Sequence, residues 1–350
     1  MITRLFGGTY KDKDYSVYEV TAGKYSMTVT NIGCAIMTFN APGKDGNVSD
    51  VVLGYDSVEE YIDNPKYFGA VIGRVGNRIR NSRFVLDGKE YSVTPTSGDG
   101  TSLHGGVYGF DTKAFSTSVG LHEGKEALIF SYMSPDGEEG YPGNLNLTVI
   151  YSLGEDGSLL IKYIATTDKP TLCNITNHSF FNLKGHDGGE ITDHHVQINA
   201  DWFTPVDSTL NTDGQIISVK GTALDFTTMT RLGDRIDADE EPLRLAGGYD
   251  HNYVINVENP GEVIKIAEVY EPASGRAMEV FSDSAGVQLY SGNFISGTKG
   301  KLGAVYEKRD ALCFETQYFP GAGSYAHFPS CRLDPGQVYC KTTIYKFGVK

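Results

Sequence analysis

The turns constrain this chain more tightly than anything else in it. Its 350 residues include 42 glycines and 13 prolines, which punctuate short runs rich in Val, Ile, Tyr, Phe and Thr. Such runs fit a pleated, half-buried surface, while Gly, Pro, Asn and Asp supply the backbone angles of tight reversals. The clearest case runs from Arg83 to Leu86, through Asp87-Gly88, to Lys89 to Val93. Asp-Gly accepts positive φ at both central positions, as a type I′ hairpin turn requires. Leu145 to Leu153 and Ser158 to Thr166 likewise flank Asp156-Gly157, and Ile266 to Tyr270 is set to pair with Arg276 to Phe281 across Pro272 to Gly275. Val338 to Phe347 reads as one long strand. Helix signals are sparse: Ser57 and Glu60 have capping-box spacing ahead of Pro65 and predict one short helix. The expected fold class is therefore all-β with very little helix. All-β sandwiches can pass 200 residues as one unit, and no linker, charge block or repeat period interrupts this sequence, so a single domain over residues 1–350 is expected.

A chain of this length hides roughly 75% of the surface it exposes when unfolded, so its core needs neither metal nor disulfide staples. With 30 Lys and Arg against 44 Asp and Glu, the formal net charge is −14. Charge of that sign repels polyphosphate and anionic lipid, and no basic stripe offsets it; nucleic acid and membrane are excluded as partners. No apolar run approaches the ~18 residues of a membrane span, and Met1 to Asp14 carries no apolar signal core, so a cytoplasmic location is expected. Cys34, Cys173, Cys313, Cys331 and Cys340 are odd in number, scattered and free of C-x-x-C spacing, which reads as reduced packing thiols.

Five segments combine reactive polar residues with glycine or strand-like flanks: Gly73 to Arg78, Leu103-His-Gly-Gly106, Asn177-His-Ser-Phe-Phe-Asn-Leu183, Tyr249 to Tyr253, and Phe314-Glu-Thr-Gln317. Taken singly, each reads as a turn as readily as a pocket wall. Taken in order, together with G-F-D after L-H-G-G, G-Y-P-G, and the late L-D-P-G-Q-x-Y, they resemble the aldose 1-epimerase (galactose mutarotase) family over nearly the whole chain. N-H-S-F-F-N-L is the most specific piece. The resemblance implies a large antiparallel β-sandwich with an open sugar pocket, no cofactor, no metal, and a free monosaccharide as the partner whose α and β anomers are interconverted.

Opening a pyranose ring needs two proton carriers, one to take the anomeric hydroxyl proton and one to give a proton to the ring oxygen. The resemblance makes Glu315 the base and His178 the acid, with His104 assisting. It makes Asn77, Arg78 and Asp250 hydroxyl binders, and Gln288 a further candidate ligand. Imidazole near its ordinary ~6.5 can hold a proton at neutrality while a glutamate near ~4.3 rests ionised, so each carrier is expected to begin in the state its role requires. The sequence departs from the family pattern at Thr101, Thr112, Phe115, and Gly321 and Ser324 within Pro320 to Ser324. Those departures bear on loop shape and sugar preference rather than on the proton carriers. Phe294 is a core-packing residue or a platform for a sugar face.

Three other functions compete for the same residues. A metal enzyme would draw on His186, His194 and His195 with Asp187 and Asp193, but that glycine-rich stretch reads as a surface loop without a ligand-fixing pattern. An inverting glycosidase would pair Glu315 with Asp250 as two carboxylates. A sugar-binding module without turnover would need hydroxyl contacts but no matched acid and base.

Overall fold

The computed structural model describes residues 1–350 and is built from strands, with only two α-helices. The first 50 residues form a five-stranded sheet in chain order: Ile2–Tyr10, Lys13–Ala22, Tyr25–Thr30, Ile36–Pro42 and Val48–Asp50. A nine-stranded antiparallel sheet follows. Its first half is a meander of Ser116–His122, Lys125–Ser134, Leu145–Leu153 and Ser158–Thr167; its second half is Arg276–Ser282, Ile264–Tyr270, His195–Ile198 and Thr230–Arg231. Between the halves lies Tyr339–Val349, hydrogen-bonded to Ser158–Thr167 on one side and to Arg276–Ser282 on the other. A further five-stranded sheet, in the order Ile217–Ser218, Trp202–Thr204, Asp250–Val254, Gly286–Tyr290 and Cys313–Gln317, carries Asp250, Gln288 and Glu315.

The turn chemistry explains the registers. Asp87 and Gly88 take φ of 51° and 76°, and the hairpin closes with Leu86 opposite Lys89 and Arg83 opposite Ser92. Leu145–Leu153 pairs with Ser158–Thr167 without a slip, and Ile264–Tyr270 pairs with Arg276–Ser282 around one bulge. Along Ser158–Thr167, Leu159, Ile161, Tyr163 and Ala165 alternate inward with half-buried partners facing out, the period-2 pattern of a strand covered on one face. These inward residues join one core of 57 buried side chains extending from Tyr18 to Phe347. The functional sheet is fixed to this core where the Tyr345 hydroxyl donates to the Phe314 carbonyl (2.7 Å) and the Phe181 ring packs on Tyr345 at 4.9 Å.

The expected helix is Val58–Asp63, with Ser57 at its N-cap and the Glu60 carboxylate accepting the Ser57 N–H (3.2 Å). The second helix, Glu241–Ala246, corrects the single-helix expectation. It has Pro242 in its first turn and the left-handed Gly247 (φ 70°) just past its end, an asymmetry that six residues can show although they are too few for helical periodicity.

One glycine positions the site directly. Gly105 follows His104 with φ 95°, and a Cβ built on it would lie 1.9 Å from the Gly73 carbonyl oxygen. Gly105→Ala therefore combines a disfavoured backbone with a main-chain clash, and should lower the free energy of unfolding by roughly 2–4 kcal/mol. Urea denaturation reads this directly; an unchanged midpoint would mean that the Gly73 and Leu103 loops separate freely.

Candidate active site

Two backbone pairings bring the two expected proton carriers together. Thr176–Asn177 pairs with Val71–Ile72, and the His178 N–H donates to the Ala70 carbonyl (2.8 Å). Three residues later, Phe181 exchanges both main-chain hydrogen bonds with Leu312 (2.8 and 2.9 Å), directly before the strand Cys313–Gln317. The Asn182 amide donates to the Asp310 carbonyl (2.8 Å) and the Gly189 carbonyl (2.7 Å). Thus N-H-S-F-F-N-L is stitched at one end to the Val71 segment and at the other to the strand holding Glu315. His178 Nε2 lies 3.6 Å from Glu315 Oε1, both side chains almost fully buried.

The polar wall comes from the sheet register. Asn252 stands opposite Gln288, and Gln288 opposite Glu315, so all three share a face. Gln288 Nε2 donates to Asp250 Oδ1 (2.6 Å), and Asp250 Oδ2 faces Arg78 Nη2 at 3.7 Å. This pair is buried in the site and is not a surface ion pair. Arg78 is delivered by the short antiparallel pairing of Arg78–Ile79 with Ser102–Leu103. At its end Asn77 and His104 clasp each other: the His104 N–H donates to the Asn77 carbonyl (3.0 Å), and the Asn77 N–H donates to His104 Nδ1 (3.2 Å). An imidazole accepting at Nδ1 in its neutral form carries its proton on Nε2, so His104 is held as a hydrogen-bond donor.

Asn77, Arg78, His104, His178, Asp250 and Glu315 all line one cavity of about 170 Å³. Gln288 lies behind Asp250 and outside the lining, contacting the cavity through that carboxylate. The aromatic part of the walls is Tyr67, Phe180, Tyr290 and Phe294, and Pro65, Lys66, Leu103 and Ile295 complete the lining. Of these, Phe294 is half exposed at the rim, its ring stacked on Tyr290 at 6.2 Å, so it is not a core residue. Sequence patterns gave no sign of Tyr67 or Tyr290, because an aromatic residue in a strand or turn looks the same whether it faces core or cavity. Arg78 also borders a neighbouring open cleft of about 1050 Å³, floored by Pro320, Gly321 and Ser324. The changed loop therefore shapes the approach to the site rather than the site itself.

Burial sets the ionisation, and here the expectation from ordinary pKa values fails. Desolvation pushes Glu315 well above the usual carboxylate range; Asp250 pushes the same way and Arg78 opposes. Desolvation lowers His178 to about 3. His104 is also held neutral, first by burial and then by the neighbouring His178 and Arg78. Each carrier alone thus rests in the form opposite to its assigned role. At 3.6 Å the two groups are close enough to share a proton, and burial favours that proton on the carboxyl over the imidazole.

The other histidines do not gather. His194 is fully buried, its Nε2 accepting the Leu183 N–H (3.0 Å), and His186 is buried against the Tyr306 hydroxyl (3.1 Å). Asp193 pairs with Arg231 at 2.6 Å. Asp187, Glu190 and Asp193 are exposed as a surface loop predicts, but His186 and His194 turn inward and serve packing, and the metal reading has no cluster there. His104, His178 and Glu315 do offer ligand atoms within 4.8 Å of one another. That donor set suits a metal poorly, because the Asn77 N–H occupies His104 Nδ1 and leaves a proton on the other nitrogen. Four cysteines are buried and unpaired as expected, but Cys340 is exposed and is not a packing thiol.

The family described as Aldose 1-epimerase matches residues 16–346. Galactose mutarotase of Bos taurus is 43% identical over 333 residues, covering 95% of this chain and 94% of its own length. Aldose 1-epimerase of Escherichia coli K12 is 34% identical over 323 residues, covering 92% and 91%. Among solved structures, the GalM/aldose epimerase homologue of C. elegans superimposes with a TM-score of 0.86 at 30% identity, covering 95% of this chain and 98% of that one. Galactose 1-epimerase of Lactobacillus acidophilus NCFM gives 0.85 at 26% identity, covering 100% and 99%. With its antiparallel sheets, its buried Glu315 and His178 and a match along nearly its whole length, this chain belongs to the aldose 1-epimerase family.

Proposed function

We propose that this protein interconverts the α and β anomers of free aldoses by opening and reclosing the pyranose ring, with Glu315 and His178 as its proton carriers. The observation that carries the assignment is the approach of His178 Nε2 to Glu315 Oε1 at 3.6 Å in a pocket of about 170 Å³. That volume is well below the ~300–1,000 Å³ of sites for drug-sized ligands and suits a single sugar ring. No helix is long and apolar enough to cross a membrane. We place the enzyme in the cytoplasm, where its unpaired cysteines stay reduced.

The mechanism follows from the single shared proton. In the resting dyad burial favours a neutral carboxyl beside a neutral imidazole. An entering sugar changes that balance: its anomeric hydroxyl donates to Glu315 and stabilises the carboxylate, and its ring oxygen accepts from His178 Nε2 and stabilises the imidazolium. The proton moves from Glu315 to His178, arming both. Glu315 then takes the anomeric proton while His178 protonates the ring oxygen, the C1 to ring-oxygen bond breaks, and the open-chain aldehyde forms. Rotation about C1–C2 presents the other carbonyl face, and the reverse transfers reclose the ring. No net proton is consumed. Arg78 and the Gln288-oriented Asp250 grip vicinal hydroxyls during the rotation, and the fixed His104 donor supports the ring oxygen or a hydroxyl. A glycosidase would use Asp250 as its second carboxylate, but that group is tied to Gln288 and Arg78 while an imidazole contacts Glu315.

Glu315→Gln and His178→Asn should each lower kcat by about 10²–10⁴-fold while sugar affinity moves much less, because general acid or base assistance is worth that much. The double variant should be little worse than the poorer single one, as for groups acting as a unit. Polarimetry on freshly dissolved α-galactose and α-glucose measures all three. Wild-type turnover by Glu315→Gln on every common aldose would refute the base assignment.

The pH profile tests the shared proton. Only the singly protonated dyad is active. Going down in pH, kcat/KM should hold until His178 gains the second proton, near its lowered value of about 3. Going up, it should fall only as Glu315 loses the last proton, well above the ordinary carboxylate range. Limbs at ~4.3 and ~6.5 would instead mean that the two groups titrate independently at their ordinary values.

A further inference from the structure

His178 is supported in an uncommon way. Its Nδ1 is buried and finds no hydrogen-bond partner on another residue, only a favourable contact with its own backbone. His104, by contrast, is aimed through Nδ1. What surrounds the His178 imidazole is aromatic. Phe180 lies near-parallel to it at 4.8 Å and 18°, and Tyr67 near-parallel at 5.9 Å and 22°. His104 and Tyr290 meet it at 81°, at 5.1 and 6.1 Å.

Tyr67 reaches this position by a costly route. Its φ of 59° lies in the left-handed region, a genuine outlier for a bulky side chain, and such strain persists only where the surroundings impose it. Here Asn64 imposes it. The Asn64 carbonyl accepts the Tyr67 N–H (2.9 Å), and its side chain grips the next residue at both the Phe68 N–H (2.9 Å) and the Phe68 carbonyl (3.1 Å). The Tyr67 carbonyl accepts the Ala70 N–H (3.1 Å), one hydrogen bond from the main chain that holds His178.

We propose that Tyr67 is a positioning residue for His178, its π face acting with that of Phe180 to aim the imidazole at Glu315 and to stabilise the imidazolium that protonates the ring oxygen. A cation over an aromatic face is attracted by the ring quadrupole, and the attraction grows where water is excluded. Desolvation is what opposes the imidazolium here, so the rings act against the dominant cost. The charged and titratable groups around His178 are Glu315 on the sheet, His104 and Tyr67 on the loops, and Tyr290 on the neighbouring strand, with Arg78, Asp250 and Lys66 elsewhere on the cavity lining, the Lys66 ammonium tied to the Phe294 carbonyl (2.9 Å). Glu315 is the one carboxyl in contact with the ring, and once it has passed its proton to His178 its carboxylate also favours the imidazolium. The proposal rests on the reading of His178 as the acid.

The test keeps the ring and inverts the charge of its face, with an arm that removes the ring as a control. Tyr67→Phe is compared with replacement of Tyr67 by pentafluorophenylalanine, which inverts the ring quadrupole, and with Tyr67→Leu. Relative to Tyr67→Phe, the fluorinated variant should lose about tenfold or more in kcat with KM moving less than about threefold. Imidazole ¹⁵N spectra of the complex with equilibrated galactose should show a smaller imidazolium fraction at His178. Tyr67→Leu should follow the fluorinated variant, and Phe180→Leu should repeat the spectral change from the other ring. Equal kcat and equal His178 spectra for the phenylalanine and pentafluorophenylalanine variants would overturn the proposal, and this comparison does not depend on Tyr67→Leu folding well. Full turnover by His178→Asn would refute the acid assignment, a result separate from whatever the ring spectra show about Tyr67.

Discussion

Desolvation of Glu315 is the condition to which the rest of the site answers. The carboxyl stands on a strand buried at every position, so ionisation has to be supplied from nearby rather than from water. His178 is close enough to take its proton, and Arg78 tempers the cost that Asp250 adds. In the proposed mechanism the two act as a pair holding one proton, with substrate hydroxyls as the switch between the neutral and the ionic arrangement.

The division of labour between sheet and loops follows from this. Glu315, Gln288 and Asp250 sit on three adjacent strands whose register leaves them no freedom, which suits a base and a hydroxyl clamp. His178, His104 and Tyr67 come from loops, and two of the three, together with Asn77, hold left-handed backbone conformations. Strained loop residues of this kind are found where surrounding structure dictates a side-chain direction. Here the dictating contacts are main-chain hydrogen bonds and the amide side chains of Asn64 and Asn182. Neither is recognisable until the segments meet in space.

What could be read from the sequence divides along the same line. The hairpins at Asp87-Gly88 and Asp156-Gly157 and the long strand Tyr339–Val349 were legible because turn chemistry and alternation are local. The helix Glu241–Ala246 was missed because it is too short for a period, leaving only Pro242 and Gly247 as signals. The residues lining the pocket from N-H-S-F-F-N-L and F-E-T-Q could be named from their motifs, whereas Tyr67 and Tyr290 could not. Nor could the ionisation of the dyad, since burial belongs to the tertiary structure and ordinary pKa values point the wrong way. His186 and His194 read as exposed residues for the mirror-image reason: polar, glycine-rich sequence conceals the hydrogen bonds that allow them to be buried.

The placement of Tyr339–Val349 governs how the molecule can assemble. The meander from Ser116 to Thr167 needs only near neighbours and can zip up early, but its inner edge, Ser158–Thr167, is completed by a strand in which Tyr345 lies opposite Leu159. Until that distant segment arrives, an amphipathic edge with unpaired main-chain groups stays open, the kind of surface on which chains pair with one another. Closure of so long a loop is entropically slow, so folding of this sheet is expected to be gated by its most central strand. The seam that gives the finished core its continuity is thus the point of greatest exposure on the way there.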